Sequence, residues 1–480
     1  MKKLLLTVLF LLTVFISIGC DNLTSTTTTN TTTTASTTLS TETNISSLTT
    51  TLTTITDGYV YDPIEVEDYI LEEARLSFKF FWEVVNGNPS SSGYGLVADR
   101  YNTATSTPGV ASIASVGFAL AAIPIGIEND WIGYLEGYER VLGTLNTLDN
   151  MQRTHGFYYH FVNMENGSRA GYSEVSIIDT AILMCGVILA GEYFGGEIKT
   201  KANDLYQAVE WDWYYNEVVK MFYMGYTPEN GFEGYWDSYA EQLMIHLLAA
   251  ASDDYSVGIE AYDRMKNNSQ RKQYGTSDYF YVSYPGTLFT YQYSHAFFDF
   301  RTAMDNEYVN WFNNSIEASI AAYDYAQFMS AYYHTYGETS WGNTASDGPD
   351  GYRAYGNLPA AGLIYIDGTL APAGAIGSLP FVPDLVLPAM EYFASLERLQ
   401  GKYGLLDSFN LGLTEAATSA IIRPARPIPV GGWYATDVIG IDKGISLLMI
   451  ENYRSELIWY YFMKSEIVQK GFEELDFTLL

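Results

Sequence analysis

The chain has 480 residues, with 56 Asp+Glu against 25 Lys+Arg and a net charge of −31. That balance excludes a nucleic-acid surface as its default partner. Hydrophobic residues make up 48% and charged ones only 17%, so the sign comes from scarce bases, a large core can be buried, and wholesale disorder is excluded. Tyrosine is abundant, with 41 residues, and a ring bearing a hydroxyl suits wet, half-apolar surfaces of the kind that hold sugars.

Met1-Lys2-Lys3 followed by the apolar run Leu4 to Ile18 reads as an export signal, too short for a comfortable membrane span. It ends Ser17-Ile18-Gly19-Cys20, which resembles the lipobox of bacterial lipoproteins. Residues 1–20 are then a lipoprotein signal peptide, and Cys20 becomes the acylated first residue of the mature chain. Diacylglycerol there supplies two chains, enough for stable anchoring at the extracellular face of the membrane. Residues 21–57 are dominated by Thr and Ser and form a disordered tether that spans about 30 Å.

Residues 58–480 read as one domain. Ile70, Ala74, Phe78 and Phe81 recur at helical spacing, and further candidate helices run Gly109 to Ile127, Trp131 to Met151, Val175 to Phe194, Ala202 to Met221 and Tyr239 to Ala251. The series continues with Tyr291 to Met304, Tyr308 to Tyr333, Leu385 to Leu399 and Ile445 to Met463. Strand-like alternation is confined to short pieces such as Gly156 to Val162. Helices that are apolar all round alternate with helices carrying a charged stripe, as the inner and outer walls of a double ring require. The expected fold is all-α, an (α/α)6 toroid of six helical hairpins; no fixed-period repeat supports an α-solenoid. Cys185 lies in an apolar run without a disulfide partner and reads as a buried small hydrophobe. With five scattered His and no paired-ligand motif, no structural zinc site and no cofactor are expected, and a carboxylate-bound Ca²⁺ stays open as an alternative to a chain with no metal.

Four segments concentrate carboxylates and rings. Ser173 to Asp179 opens the most apolar helix: Glu174 suits a helix start, and Asp179, a turn further in, needs a polar cavity or a partner. In Gly234 to Glu241, Asp237 is a candidate N-cap, while Glu241 sits beside Trp236 and Tyr239 at an apolar edge where burial raises a carboxyl pKa as a general acid requires. Tyr336 to Tyr352 packs Glu338, Trp341 and Asp347 into one loop, which reads as a sugar subsite. In Tyr291 to Arg301, Tyr291, His295 and Asp299 share a helix face, with Tyr293, His295 and Arg301 as candidate substrate contacts. Carboxylates and rings without a phosphate motif suit glycosidic-bond cleavage. Glu241 is the expected acid and Glu174, Asp179 or Asp347 its partner; Trp236, Tyr239, Tyr293, His295, Arg301, Glu338 and Trp341 are the expected sugar contacts.

The motifs Gly95-Leu96-Val97-Ala98-Asp99-Arg100, Ser173-Glu174-Val175-Ser176-Ile177-Ile178-Asp179, Thr290-Tyr291-Gln292-Tyr293-Ser294-His295, Ala345-Ser346-Asp347-Gly348-Pro349-Asp350-Gly351-Tyr352 and Gly440-Ile441-Asp442-Lys443-Gly444 resemble those of the glycoamylase-like domain family. That family includes endo-β-1,2-glucanases and a part of cyclic β-1,2-glucan synthases. The resemblance extends from Tyr69 to Gly471 and implies the (α/α)6 fold and a β-1,2-linked glucan as substrate. Glu241 matches the glutamate that glucanase members need for catalysis. Some members also use aspartates just ahead of the position matching Asp179, where this chain has Tyr172 and Ser176. The departure implies a branch in which Glu174 or Asp179 supplies the second carboxylate, or in which transglycosylation or another glucan replaces hydrolysis; exo-hydrolysis of starch is the runner-up. A rival of another class is a glycan-capturing lipoprotein that feeds a transporter. Either way the chain is expected to meet an oligo- or polysaccharide and to act as a monomer.

Overall fold

The computed structural model describes residues 59–417 and 421–479. The signal peptide, Cys20 and the tether lie outside the described residues. The chain divides into the units Met1–Asp62 and Pro63–Leu480; in the first, residues 59–62 carry no helix or strand. The second contains α1 (Asp68–Glu83), α2 (Ile113–Glu128), α3 (Tyr134–Asn150), α4 (Ile177–Phe194), α5 (Gly196–Gln207), α6 (Leu243–Ala251) and α7 (Ile259–Asn268). It continues with α8 (Tyr293–Phe297), α9 (Trp311–Met329), α10 (Pro372–Ile376), α11 (Pro383–Ser395), α12 (Gly440–Arg454), α13 (Leu457–Met463) and α14 (Glu466–Glu474). Among the described residues the largest sheet has four strands, in keeping with the absence of long alternating runs.

The two helix types separate as their sequences dictate. In α2, Ile113 through Gly126 are all buried, and α6 is buried along its whole length. By contrast α1, α3 and α7 bury one stripe each, the pattern of helices that cover a core. Helix α2 packs on α4 and α12, α4 on α6, and α12 on α8 and α10, while α1 lies against α2 and α12 and α5 against α4. The α2–α4 crossing is close because two glycines meet there: a Cβ on Gly186 would come within 2.0 Å of the Gly117 carbonyl oxygen.

Short strands run directly into the starts of three central helices. Ala111–Ser112 leads into α2 and pairs with Phe161–Val162; Val175–Ser176 leads into α4 and pairs with Tyr226 and Gly225; Asp437–Ile439 leads into α12 and pairs with Arg100–Asn102. Ser112 and Ser176 cap their helices by accepting the amide hydrogens of Ser115 and Asp179. Segments far apart in sequence are thereby tied together at helix starts.

Several helix expectations need correction. The candidate from Ala202 ends with α5 at Gln207, and Met221–Thr227 and Gly231–Tyr235 form a hairpin instead. The run is rich in aromatics, which favour a pleated surface, and Tyr223 stacks cross-strand on Phe232 at 4.4 Å and on Tyr235 at 4.7 Å. Helix α6 begins at Leu243, so Asp237 is not its N-cap. Helix α8 has only five residues; the Asp299 carboxylate turns back to accept the Arg301 amide, which removes Asp299 from a shared face with His295. The last long candidate splits into α12 and α13 at Glu456, whose φ is 59°. Helices α7, α10 and α14 carry no signal that the sequence reading used.

Candidate active site

Two clusters of carboxylates form at these helix starts. In the first, Asp179 lies in the opening turn of α4 and is 7% exposed. Ser176 Oγ accepts the Asp179 amide and donates to Asp179 Oδ2 at 2.5 Å. His160 faces both acids, with Nδ1 2.9 Å from Glu174 Oε1 and Nε2 3.5 Å from Asp179 Oδ1. Burial works against a charged His160, but Asp179, Glu174 and Asp99 outweigh it and raise its pKa to about 9, so the ring is an imidazolium at neutral pH. For Glu174 burial pulls upward, yet the His160 hydrogen bond and charge hold the carboxyl below its ordinary value. Asp179 stays above its own, because burial exceeds what His160 and Ser176 return.

The second cluster is built on Arg100. Its Nε lies 3.0 Å from Asp99 Oδ2, and its Nη1 lies 3.1 Å from both oxygens of Asp347 and 3.4 Å from Asp437 Oδ2. The Asp347 amide donates to Asp407 Oδ2 at 2.6 Å, and Ser408 Oγ donates to the Asp347 carbonyl. Asp442, in the first turn of α12, is 6% exposed. Burial, with the Asp347 charge added, raises its pKa to about 7, and burial together with Asp442 also raises Asp407. Asp407 and Asp442 are hydrogen-bonded to each other through their carboxyls, one of the two carrying the proton.

Glu241 and Tyr293 join the clusters. Glu241 immediately precedes the residue that caps α6, and its carbonyl accepts a hydrogen bond from Ser294 Oγ at 2.8 Å. Burial, with the charge of Asp179 added, lifts its carboxyl to about 7. Tyr293, buried at the start of α8, has its pKa raised by burial and by the charges of Asp442, Glu241 and Asp179. Acids from the starts of α4, α6 and α12 thus lie within electrostatic reach of one tyrosine hydroxyl. Tyr352 is coupled in the same way to Asp442, Asp407 and Asp99. Among the described residues no group of three or more His, Cys, Asp or Glu side chains is arranged to hold a metal ion.

The structure therefore brings Glu174, Asp179, Glu241 and Asp347 into one acidic region, together with Tyr293. Trp236 is buried with an indole N–H that has no protein partner. Other expected sugar contacts are corrected. Trp341 is wholly buried and donates its indole N–H to the Leu385 carbonyl, so it offers no open face. Tyr239 is buried with its ring stacked on Trp311 at 4.7 Å. His295 is a core histidine: its Nε2 meets Ser315 Oγ at 3.0 Å, Phe300, Phe312 and Phe381 surround it, and burial lowers its pKa to about 3. Arg301 is held by Asp299 and Glu456 and lies over the Trp459 ring. Glu338 is exposed in a surface turn. Packing consumes Trp341, Tyr239 and His295, and ion pairs consume Arg301.

The site reading missed His160, Arg100, Asp99, Asp407, Asp442 and Tyr352. Asp99, Arg100, Tyr352 and Asp442 stand in the family-like motifs, and that was their available signal. His160 lies in the alternating Gly156 to Val162 piece, and Asp407 carries no local signal.

The chain is similar to known proteins over most of its length. Residues 233–466 match the Glycoamylase family model, described as "Putative glucoamylase". The chain is 26% identical over 452 residues to the exo beta-1,2-glucooligosaccharide sophorohydrolase (non-reducing end) of Parabacteroides distasonis, covering 86% of this chain and 58% of that protein. It thus spans less than two thirds of that relative's length. The solved endo-beta-1,2-glucanase of Chitinophaga pinensis, a sophorotriose and glucose complex, superposes with a TM-score of 0.74 at 25% identity, over 86% of this chain and 99% of that one. The beta-1,2-glucanase of Parabacteroides distasonis gives a TM-score of 0.71 at 24% identity, over 86% and 60%. The fold is thus one shared with solved β-1,2-glucanases. In residues 233–466 the chain is similar to the glycoamylase-like family.

The proton on Glu241 has a consequence for stability. With a native pKa of about 7 against 4.5 for the free group, the folded chain holds this proton across that window and the unfolded chain does not, so stability falls as pH rises through it. Glu241→Gln removes the linkage. In paired urea unfolding from about pH 5 to about pH 8, the midpoint of the variant relative to the wild type is expected to rise steadily; a constant difference contradicts the raised pKa.

Proposed function

We propose that this chain is a glycoside hydrolase that cleaves β-1,2-linked glucan. In this reading α1 to α12 form an (α/α)6 toroid with α2, α4, α6, α8, α10 and α12 as the inner ring, and the acidic helix starts line its cleft. The observation that carries the reading is Glu241: a carboxyl raised by burial to about 7 that lies, with Asp179 and Asp442, within electrostatic reach of the Tyr293 hydroxyl. The names of the relatives support the β-1,2 linkage.

Glu241 gives its proton to the bridging oxygen as the bond to the anomeric carbon breaks. Water adds to that carbon and loses a proton to a second carboxylate. Glu174 is held below its ordinary pKa by His160, which suits it to holding charge, whereas burial raises Asp347 despite its pairing with Arg100. Asp179 and Asp442, whose pKa values burial raises, are the better acceptors. Trp236 and Tyr293 border the sugar. Ser176, at one of the family-departure positions, serves this chain as the cap and hydrogen-bond partner of Asp179.

The test is to incubate the purified chain with β-1,2-glucan and count new reducing ends. Glu241→Gln is expected to slow their release about 10³-fold. Binding by the wild type with no cleavage points to a capture protein, and cyclic products without new reducing ends point to transglycosylation; either result contradicts hydrolysis.

The enzyme would work at the extracellular face of the bacterial membrane, held by diacylglycerol on Cys20 with residues 21–57 as its tether. Ser17-Ile18-Gly19-Cys20 supports this. Cys20→Ser is expected to move the protein from the membrane to the soluble fraction, and unchanged partitioning contradicts the anchor.

A further inference from the structure

We propose that His160 is a positioning residue for this reaction: bridging Glu174 and Asp179 through both ring nitrogens, it fixes the two acids as one anionic face beside Glu241. The inference rests on the hydrolase reading for the word reaction, and on geometry alone for the bridge.

The ring is fixed from several sides. The His160 amide donates to the Glu174 carbonyl at 2.9 Å, and its own carbonyl accepts the amide of Ile113, the first residue of α2, at 3.1 Å. The strand that carries it therefore joins the start of α2 to the start of α4. One face of the imidazole stacks on Phe161 with centroids 3.7 Å apart. Its Nδ1 meets Glu174 and its Nε2 faces Asp179. A neutral imidazole has one N–H and one lone pair, and the lone pair would point at a carboxylate oxygen; facing both acids favourably requires both nitrogens protonated. Nδ1 is hydrogen-bonded to Glu174 and Nε2 is ion-paired with Asp179 at 3.5 Å, so both ring nitrogens are directed at the acids. It acts through the acids it holds.

The charged groups facing His160 are Glu174 and Asp179 at the start of α4 and Asp99 from the segment beside α12, while Arg169 reaches Glu174 from the far side. Without the bridge, Glu174 and Asp179 repel each other and one takes up a proton more readily. Asp179 also supports the proton on Glu241, so a neutral Asp179 lets Glu241 ionise sooner. Loss of His160 therefore moves the acid limb of the pH–rate profile up and its alkaline limb down.

The experiment compares the wild type with His160→Gln and His160→Ala on β-1,2-glucan. For His160→Gln, kcat is expected to fall about 10²-fold from misplaced acids, with KM changed by less than about threefold and a profile narrowed on both limbs. Added imidazole is expected to restore part of the rate to His160→Ala, most strongly at pH values where imidazole is protonated. A variant with native circular dichroism that keeps the wild-type profile, or shows no rescue, overturns the positioning role.

A readout independent of activity tests the bridge itself. The imidazole resonance missing from His160→Gln is expected to titrate near pH 9 in the wild type and to drop by more than about one unit in Glu174→Gln. An ordinary histidine titration that Glu174→Gln leaves unmoved overturns the inference. A wild type that cleaves no glucan while this titration holds overturns the hydrolase reading instead, so the two failures are distinguishable.

Discussion

The structure turns on how buried negative charge is compensated where the central helices begin. Asp99, Glu174, Asp179, Asp347 and Asp437 gather on Arg100 and His160. An uncompensated buried carboxylate costs several kcal/mol and normally takes up a proton instead. Capping serines and the positive ends of α4 and α12 return part of that cost. Each side chain's protonation state is thus set by a balance between burial and its cation: Glu174 falls below its ordinary pKa, while Asp179 and Asp347 stay above theirs beside His160 and Arg100.

From this follows a division of roles. Glu174, hydrogen-bonded to His160, is held ionised, whereas Glu241 and the Asp407–Asp442 pair, removed from direct ion pairs, are pushed toward the neutral form. Carboxyls whose pKa values are driven apart by their surroundings are what acid–base chemistry at one bond requires. The short strands ahead of α2, α4 and α12 make it possible, because pairing across large sequence separations fixes Arg100 opposite Ile439 and Val175 opposite Tyr226. The close Gly117–Gly186 crossing keeps α2 and α4 close behind them.

How much of this was legible in the sequence differs by element. The apolar helices α2 and α4 and the striped helix α1 were readable, since burial on all sides or on one side writes a different period. Glu241 and Asp179 were readable because a carboxylate ahead of an apolar run needs a reason. The aromatic hairpin was hidden: Trp211 to Tyr235 has the composition of both a packed helix and a pleated ribbon, and only cross-strand stacking decides between them. His295 and Trp341 misled for a related reason, since the same residue types that grip sugars also fill cores. His160, Asp407 and Asp442 were invisible as a group because their meaning lies in contacts between segments far apart in the chain.

The central claim is that acids from separate helix starts converge on one sugar oxygen. A crystal structure of Glu241→Gln soaked with a β-1,2-linked glucooligosaccharide tests it most directly. The account requires a bridging oxygen at hydrogen-bond distance, about 3 Å, from the residue 241 amide, with Asp179 and Asp442 facing the same glucose unit. An oligosaccharide seated elsewhere, or one that leaves these three side chains untouched, would contradict it.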